Sequence, residues 1–386
     1  MVLPSAVDTA APSAGQRANI EPLRCTAVLT HHWLVRIRGG EKVLEALAEL
    51  LPDSAIYTLV HDPLGIASST LARRRVHTSP LQRFPGAIRH YPKLLPLLPW
   101  AARQVRLPAV ELVVCSDAAI AKAMRPDPRS KLVCYCHSPM RYVWDLAGEY
   151  LREVPRGLRP LWRPLCRCVR QADQQAAQRV DLFVANSRHV AERIRRHYGR
   201  DAVVVHPPVD VPAAPHSGRR ADFYLCVGYH TGYKRLDLAV EACRRLGRRL
   251  IVIGDGPDVE RLRRGPTRHV SWLGWQAADV IADYYRQAAA LLFPGEEDFG
   301  IVPVEAMGHG CPVIAYAVGG ATETVLADRT GVLFDQQTPE CLMAAMRRCE
   351  QMIFDPHVLH QHARRFSRSV FLRRMRAVLV SVLGAR

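Results

Sequence analysis

No stretch of the 386-residue chain holds 18 consecutive apolar residues, so no membrane-spanning helix is expected. Met1 to Leu23 has no basic region followed by an apolar core, so it does not read as a signal peptide; residues 1–24 are expected to form a disordered extension. Aromatics make up 7% of the chain, and the basic residues are not interleaved with them, which leaves a nucleic-acid-binding protein as a remote alternative and no nucleic-acid partner expected. Neither Cys134-Tyr-Cys136-His137 nor Cys166-Arg-Cys168 has the C-x2-C spacing of common zinc modules, so no metal centre is expected. The 11 cysteines follow no disulfide framework and read as reduced thiols in a cytoplasmic protein.

Apolar residues at 48% and charged ones at 23% are those of a globular protein, and the length exceeds one ordinary core. The net charge is +17, almost all of the basic residues being arginine. Residues 1–210 carry 30 Lys and Arg against 18 Asp and Glu, and the remainder 23 against 18. The excess in the first half suits an anionic lipid, a nucleic acid or a phosphorylated substrate.

Strand patterns alternate with helical ones, the pattern of βαβ units and parallel sheets. Thr26–Thr30, Ile56–Val60, Leu112–Cys115, Leu132–Tyr135, Leu182–Ala185 and Val203–Val205 form one series. After a Pro-rich break at His206–Gly218, a second series runs through Phe223–Val227, Leu250–Ile253, His269–Leu273, Ala289–Phe293 and Pro312–Ala315. A last helical pattern covers about Ser369 to Leu383. The expected domains are 25–212, 213–366 and a C-terminal helix at 367–386 that returns to the first domain.

Pro294-Gly-Glu-Glu-Asp-Phe-Gly-Ile-Val-Pro-Val-Glu305 leaves the carboxyl end of a strand, where open α/β sheets bind ligands, and enters a helix whose N-terminus favours an anion. Glu297 and Glu305 are acceptors suited to hydroxyl groups; on spacing alone they also fit an acidic helix start. With Phe299-Gly300 and Gly319-Gly320-x-x-Glu323, this segment resembles the E-x7-E signature of retaining glycosyltransferases of family 4 (glycosyl transferases group 1). The resemblance implies an α/β protein of GT-B fold, two Rossmann-like domains facing each other across a cleft. It implies that Glu297 contacts the donor sugar and Glu305 the ribose, with Phe299, Gly300, Gly319 and Glu323 beside them. Glu323 alone also reads as a helix cap.

Three further segments extend the resemblance over about residues 25–380. Val227-Gly-Tyr-His-Thr-Gly-Tyr-Lys-Arg235 resembles the segment in which the family's lysine, here Lys234, neutralises the diphosphate leaving group, usually with an arginine where this chain has Tyr229; that departure leaves Lys234 as the main cation and Arg235 as a donor-side candidate. Gly254-Asp-Gly-Pro257 is a tight turn after a strand, with Gly254 a donor-side candidate. Gly39-Gly40 resembles the glycine loop facing the donor diphosphate, and also fits a plain turn into an amphipathic helix with apolar Val43, Leu44, Leu47 and Leu51. Cys136-His-Ser-Pro-Met-Arg-Tyr-Val-Trp-Asp145 resembles a subgroup of bacterial polysaccharide transferases, many of them mannosyltransferases, in which the histidine matching His137 lies at the reaction centre. The implied activity is retaining transfer of a hexose, first of all mannose from GDP-mannose, to a polyprenyl-diphosphate-linked or oligosaccharide acceptor. It needs no cofactor and no metal. A UDP-sugar donor is the alternative, and a sugar-nucleotide epimerase a weaker one.

Arg83 to Arg106 mixes Leu, Trp and Tyr with Arg83, Arg89, Lys93, Arg103 and Arg106. It fits either a segment lying on an anionic membrane or the wall of an acceptor pocket. The first reading places the protein peripherally on the inner face of the cytoplasmic membrane.

Overall fold

The computed structural model describes residues 20–384, apart from the side chains of Pro92, Lys93, Arg152, Glu153 and Leu158; residues 1–19 of the N-terminal extension lie outside the described residues. The chain forms two compact units. One comprises residues 20–208 and 371–384, the other Val209–Val370.

The first unit is built on β1 (Ala27–His31), β2 (Ala55–Thr58), β3 (Val76–Thr78), β4 (Leu112–Asp117), β5 (Lys131–Cys136), β6 (Leu182–Ala185) and β7 (Ala202–Val204). All pairings are parallel, in the order β3-β2-β1-β4-β5-β6-β7. The order reverses between β1 and β4. In open α/β sheets ligands bind at such a point, beyond the carboxyl ends of the strands. β4 is buried at all six positions, as expected of a parallel strand covered on both faces. Helix Gly39–Leu50 buries Val43, Leu44, Leu47 and Leu50 on one face. Helix Arg368–Gly384 returns to this unit, and its Phe371, Met375 and Leu379, spaced four apart, join the core around Leu29, Leu44 and Tyr135. Each such side chain contributes about 1.5–3 kcal/mol when fully buried.

The second unit holds β8 (Tyr224–Val227), β9 (Leu250–Ile253), β10 (Val270–Gly274), β11 (Ala290–Phe293), β12 (Val313–Tyr316) and β13 (Gly331–Phe334). The order is β10-β9-β8-β11-β12-β13, again parallel throughout. Its reversal falls between β8 and β11, so the loops leaving those two strands emerge side by side. β3 and β13, edge strands of the two sheets, were not anticipated from the sequence.

Candidate active site

In the second unit, the loops after β8 and β11 bring together the residues singled out from the sequence. Lys234 ends a short 3-10 turn, Gly232–Lys234. Its Nζ lies 2.8 Å from Oε1 of Glu297, with both side chains about one-fifth exposed, at 18% and 21%. The loops touch backbone to backbone at Gly295, where a Cβ would sit 2.5 Å from Lys234 Cα. Gln337, beyond β13, clamps them: its amide donates to the Pro294 carbonyl at 2.8 Å, and its oxygen accepts from Arg235 Nη1 at 3.4 Å. Arg235 spends its other donors on Asp237, at 3.1 Å from both Nε and Nη2. That pairing makes Lys234 the cation turned to Glu297, and Arg235 a neighbour held by Asp237.

Gly300 precedes helix Ile301–Gly308, and Phe299 is buried against Phe366. Glu305, half-buried on that helix, accepts from the buried Tyr285 hydroxyl at 3.3 Å. Gly319 has φ +75, and a Cβ there would lie 2.5 Å from the Glu297 carbonyl. Only glycine suits that conformation and that approach. The next residue's amide, on Gly320, donates to the same carbonyl at 2.8 Å. Glu323 is half-buried on the short helix Ala321–Thr324. Gly254 lies against the Gly228 backbone; it packs one loop on another. His230 was not foreseen. It is buried, its Nε2 bonds the Ile253 carbonyl at 3.1 Å, and burial, reinforced by the charge of Lys234, lowers its pKa to about 4.

In the first unit, the ends of β1, β4 and β5 carry a polar cluster. His137 follows β5, and its Nε2 lies 2.8 Å from Ser116 Oγ on β4. The same hydroxyl is 3.1 Å from His31 Nδ1 at the end of β1. Nδ1 also meets the Ser116 carbonyl at 3.0 Å. A carbonyl only accepts, so His31 Nδ1 carries the hydrogen. Ser116 Oγ accepts from it and keeps its own hydrogen and a second lone pair for His137 Nε2. His31 Nε2 faces Glu41 at 3.5 Å. Burial opposes ionisation of Glu41, but the hydrogen bond and charge of His31, with backbone donors at Glu41 and Arg38, hold its carboxyl below the usual range. Glu41 also caps the helix that starts at Gly39-Gly40. A Cβ on Gly40 would be 3.6 Å from His137 Nε2 and 3.7 Å from His31 Cε1, so the glycine turn and the histidines share one place. His31, Ser116 and Glu41 were not singled out from the sequence.

The loop carrying His137 is braced from behind. Asn186 donates to the His137 carbonyl at 2.9 Å. Arg193, buried, donates to Ser138 Oγ at 2.9 Å and pairs with Asp145. Below it, Lys122 Nζ lies 3.0 Å from Asp117 and 2.6 Å from Asp173, all three buried. The other Asp173 oxygen accepts from Trp144 and Tyr198. Among the described residues, Cys115, Asp117 and Cys134 cluster closely enough to hold a metal ion. There the Asp117 carboxylate already takes the Lys122 ammonium and three backbone amides, and burial pushes the Cys134 thiol well up. That donor set suits a buried ion pair and apolar thiols better than a cation.

Two parallel Rossmann-like sheets with loops of this kind at their reversal points define the GT-B class. Residues 37–212 match the family model described as Glycosyltransferase Family 4, and residues 222–351 that described as Glycosyl transferases group 1; the chain carries both domains of a family 4-like, group 1 type glycosyltransferase. A D-inositol 3-phosphate glycosyltransferase from Mycobacteroides abscessus is 31% identical over 215 residues, 49% of this chain and 47% of the relative. An uncharacterized glycosyltransferase from Methanocaldococcus jannaschii is 27% identical over 167 residues, 42% of this chain and 47% of the relative. The chain spans about half the length of the curated relatives it matches. Among solved structures, HepE of Anabaena in complex with UDP-glucose has a TM-score of 0.67 at 18% identity, covering 92% of this chain and 100% of that one. A sucrose-phosphate synthase from Thermosynechococcus elongatus has a TM-score of 0.64 at 17% identity, covering 93% and 100%. At these identities the two share the fold.

Proposed function

We propose that the chain is a retaining hexosyltransferase that takes mannose from GDP-mannose and passes it to a lipid-linked or oligosaccharide acceptor in cell-surface polysaccharide synthesis. The observation that carries the reading is the convergence of Lys234 and Glu297, 2.8 Å apart, at the carboxyl ends of β8 and β11. Lys234 supplies charge to a departing diphosphate, and Glu297 accepts hydrogen bonds from sugar hydroxyls. By the likeness of its segment, His137, held by Ser116 just past β5, serves the reacting sugar. The acceptor hydroxyl attacks on the face the diphosphate leaves, and the leaving phosphate takes its proton. No carboxylate nucleophile is then needed. Lys234 and the helix N-terminus at Ile301 stand in for a divalent metal.

GDP-mannose rests on the likeness of the His137 segment to mannosyltransferases. A UDP-sugar is the second reading, favoured by the family 4-like domains being shared with proteins of other named acceptors and by HepE having been solved with UDP-glucose. Measuring nucleotide release from GDP-, UDP- and ADP-sugars, with and without a bacterial lipid extract, separates the two. Release from GDP-mannose alone, raised by lipid, supports the first; release from a UDP-sugar discards that donor and keeps the mechanism.

The reading includes peripheral attachment to the inner face of the cytoplasmic membrane. Among the described residues no helix is long and apolar enough to cross a membrane. Phe84, Ile88, Leu97 and Trp100 are exposed beside Arg83, Arg89, Arg103 and Arg106, a mix suited to an anionic lipid surface. Flotation with anionic vesicles tests it, and a chain that stays at the bottom of the gradient sinks it.

A further inference from the structure

Within the first unit, a cavity of about 350 Å³ opens between helices Leu98–Gln104 and Arg159–Ala177. Its volume is at the lower end of the range for small-ligand sites. The wall on the second helix is a stripe at helical spacing, Leu165, Val169 and Ala172, which Leu161 extends out to solvent with 63% of its surface exposed. Trp100 closes the opposite side and is itself exposed. Apolar surface of this kind left open to water marks a binding surface more often than a packing fault.

The rim is cationic. Arg103 and Arg125 line the cavity, and no acidic residue does. Arg103 donates to the Gln175 amide oxygen at 2.9 Å, a neutral partner. Arg179 stands close enough for both charges to be felt: burial first, then Arg103 and Arg125, pull its guanidinium below the usual arginine range. Among the described residues none of the three makes an ion pair. Three guanidiniums gathered without a carboxylate repel one another, and an anion with several acceptor oxygens relieves that repulsion.

We propose that this cavity binds a single amphiphilic phosphate, a prenyl or acyl chain lying along Leu165, Val169 and Trp100 with its phosphate on Arg103 and Arg125. The site gives the lipid-linked acceptor of the proposed function an anchor, and its physiological meaning rests on that reading. An apolar stripe alone would take any hydrophobe, and arginines alone any phosphate. Their juxtaposition calls for both properties in one molecule.

Cys168 provides the probe. It lines the cavity and is the exposed thiol among the described residues. The experiment measures maleimide alkylation of Cys168 in the full chain, located by peptide mass spectrometry, in the presence of farnesyl phosphate, farnesol or inorganic phosphate. Farnesyl phosphate is expected to slow modification at least tenfold, farnesol less than threefold and inorganic phosphate not at all. Arg103→Gln with Arg125→Gln, both at the rim, is expected to abolish protection while leaving the melting temperature of the chain unchanged. Unprotected Cys168, equal protection by farnesol or by inorganic phosphate, or protection that survives the double substitution each overturns the proposal. A chain that turns over no donor yet keeps the farnesyl phosphate protection sinks the transferase reading and leaves the site standing. Donor turnover without protection does the reverse.

Discussion

Ser116 Oγ stands 2.8 Å from Nε2 of His137; Ser116 lies on β4 and His137 just past the neighbouring parallel strand β5, not in one motif. The hydroxyl ties His137 to His31 and, through it, to the buried Glu41. Ser116→Ala removes the hydroxyl that holds His137 Nε2. The expected result is a fall in kcat of roughly tenfold, the order of one lost hydrogen bond with some reorientation, with KM changed by less than about twofold. Ser116→Thr, which keeps the hydroxyl, restores kcat. An unchanged kcat in Ser116→Ala would show that the serine only fills space.

Glu297→Ala and Lys234→Ala are each expected to lower transfer by about a hundredfold or more, the scale of removing one electrostatic contact to the reacting group. Both side chains are partly exposed, so melting temperatures should change by no more than a few degrees. The effects overlap because each residue orients the other, and the double variant should lose less than the product of the two single losses. Near-normal turnover in Glu297→Ala would remove it from the site.

Much of this half of the candidate site was legible in the sequence, since Lys234, Glu297 and Phe299-Gly300 lie in two short loops that follow clear apolar strands and Glu305 lies on the helix after the second. The other half was less so. His31 and Ser116 are 85 positions apart in the chain, and they meet only because β1 and β4 pair where the sheet order reverses. Gln337 is hidden for the same reason, since its partner Pro294 is 43 residues away. The edge strands β3 and β13 escaped notice because Val76-His77-Thr78 is three residues long with two exposed positions, and β13 opens on a glycine. Neither presents the run of branched apolar residues that marks β4 or β11.

Lys122→Met should destabilise the first unit by about 3–5 kcal/mol, because Asp117 and Asp173 would then face each other buried and uncompensated. Lys122 holds the Asp117 carboxyl down to about 2 against the burial that would raise it. Denaturant titration followed by far-ultraviolet circular dichroism measures the loss. A change under about 1 kcal/mol would mean that water reaches the pair.

Metal independence predicts that nucleotide release and sugar transfer persist in excess EDTA, with rates within about twofold of the untreated enzyme. In the proposed mechanism Lys234 and the helix N-terminus supply the positive charge that a divalent ion would otherwise bring to the diphosphate. Loss of all turnover, restored by adding back magnesium or manganese, would overturn this part of the mechanism.

Stability should fall as the solution is acidified from about pH 6.5 towards pH 4, and His230 sets the sign. Burial, with Lys234 adding to it, lowers its pKa in the fold from 6.5 to about 4. Between those values the unfolded chain binds the proton and the folded chain does not, so unfolding gains from every drop in pH. Above pH 6.5 both states are neutral and the effect vanishes; below about pH 4 it is complete, at roughly 3 kcal/mol. His32, lowered well below the usual range by burial and by His31, pushes the same way in the other unit. Replacing His230 with Gln, which keeps a donor for the Ile253 carbonyl and cannot titrate, should flatten the decline in the second unit's denaturation midpoint between pH 6.5 and 4.5. A variant whose midpoint declines as steeply as that of the unmodified chain would show that His230 takes up its proton without unfolding.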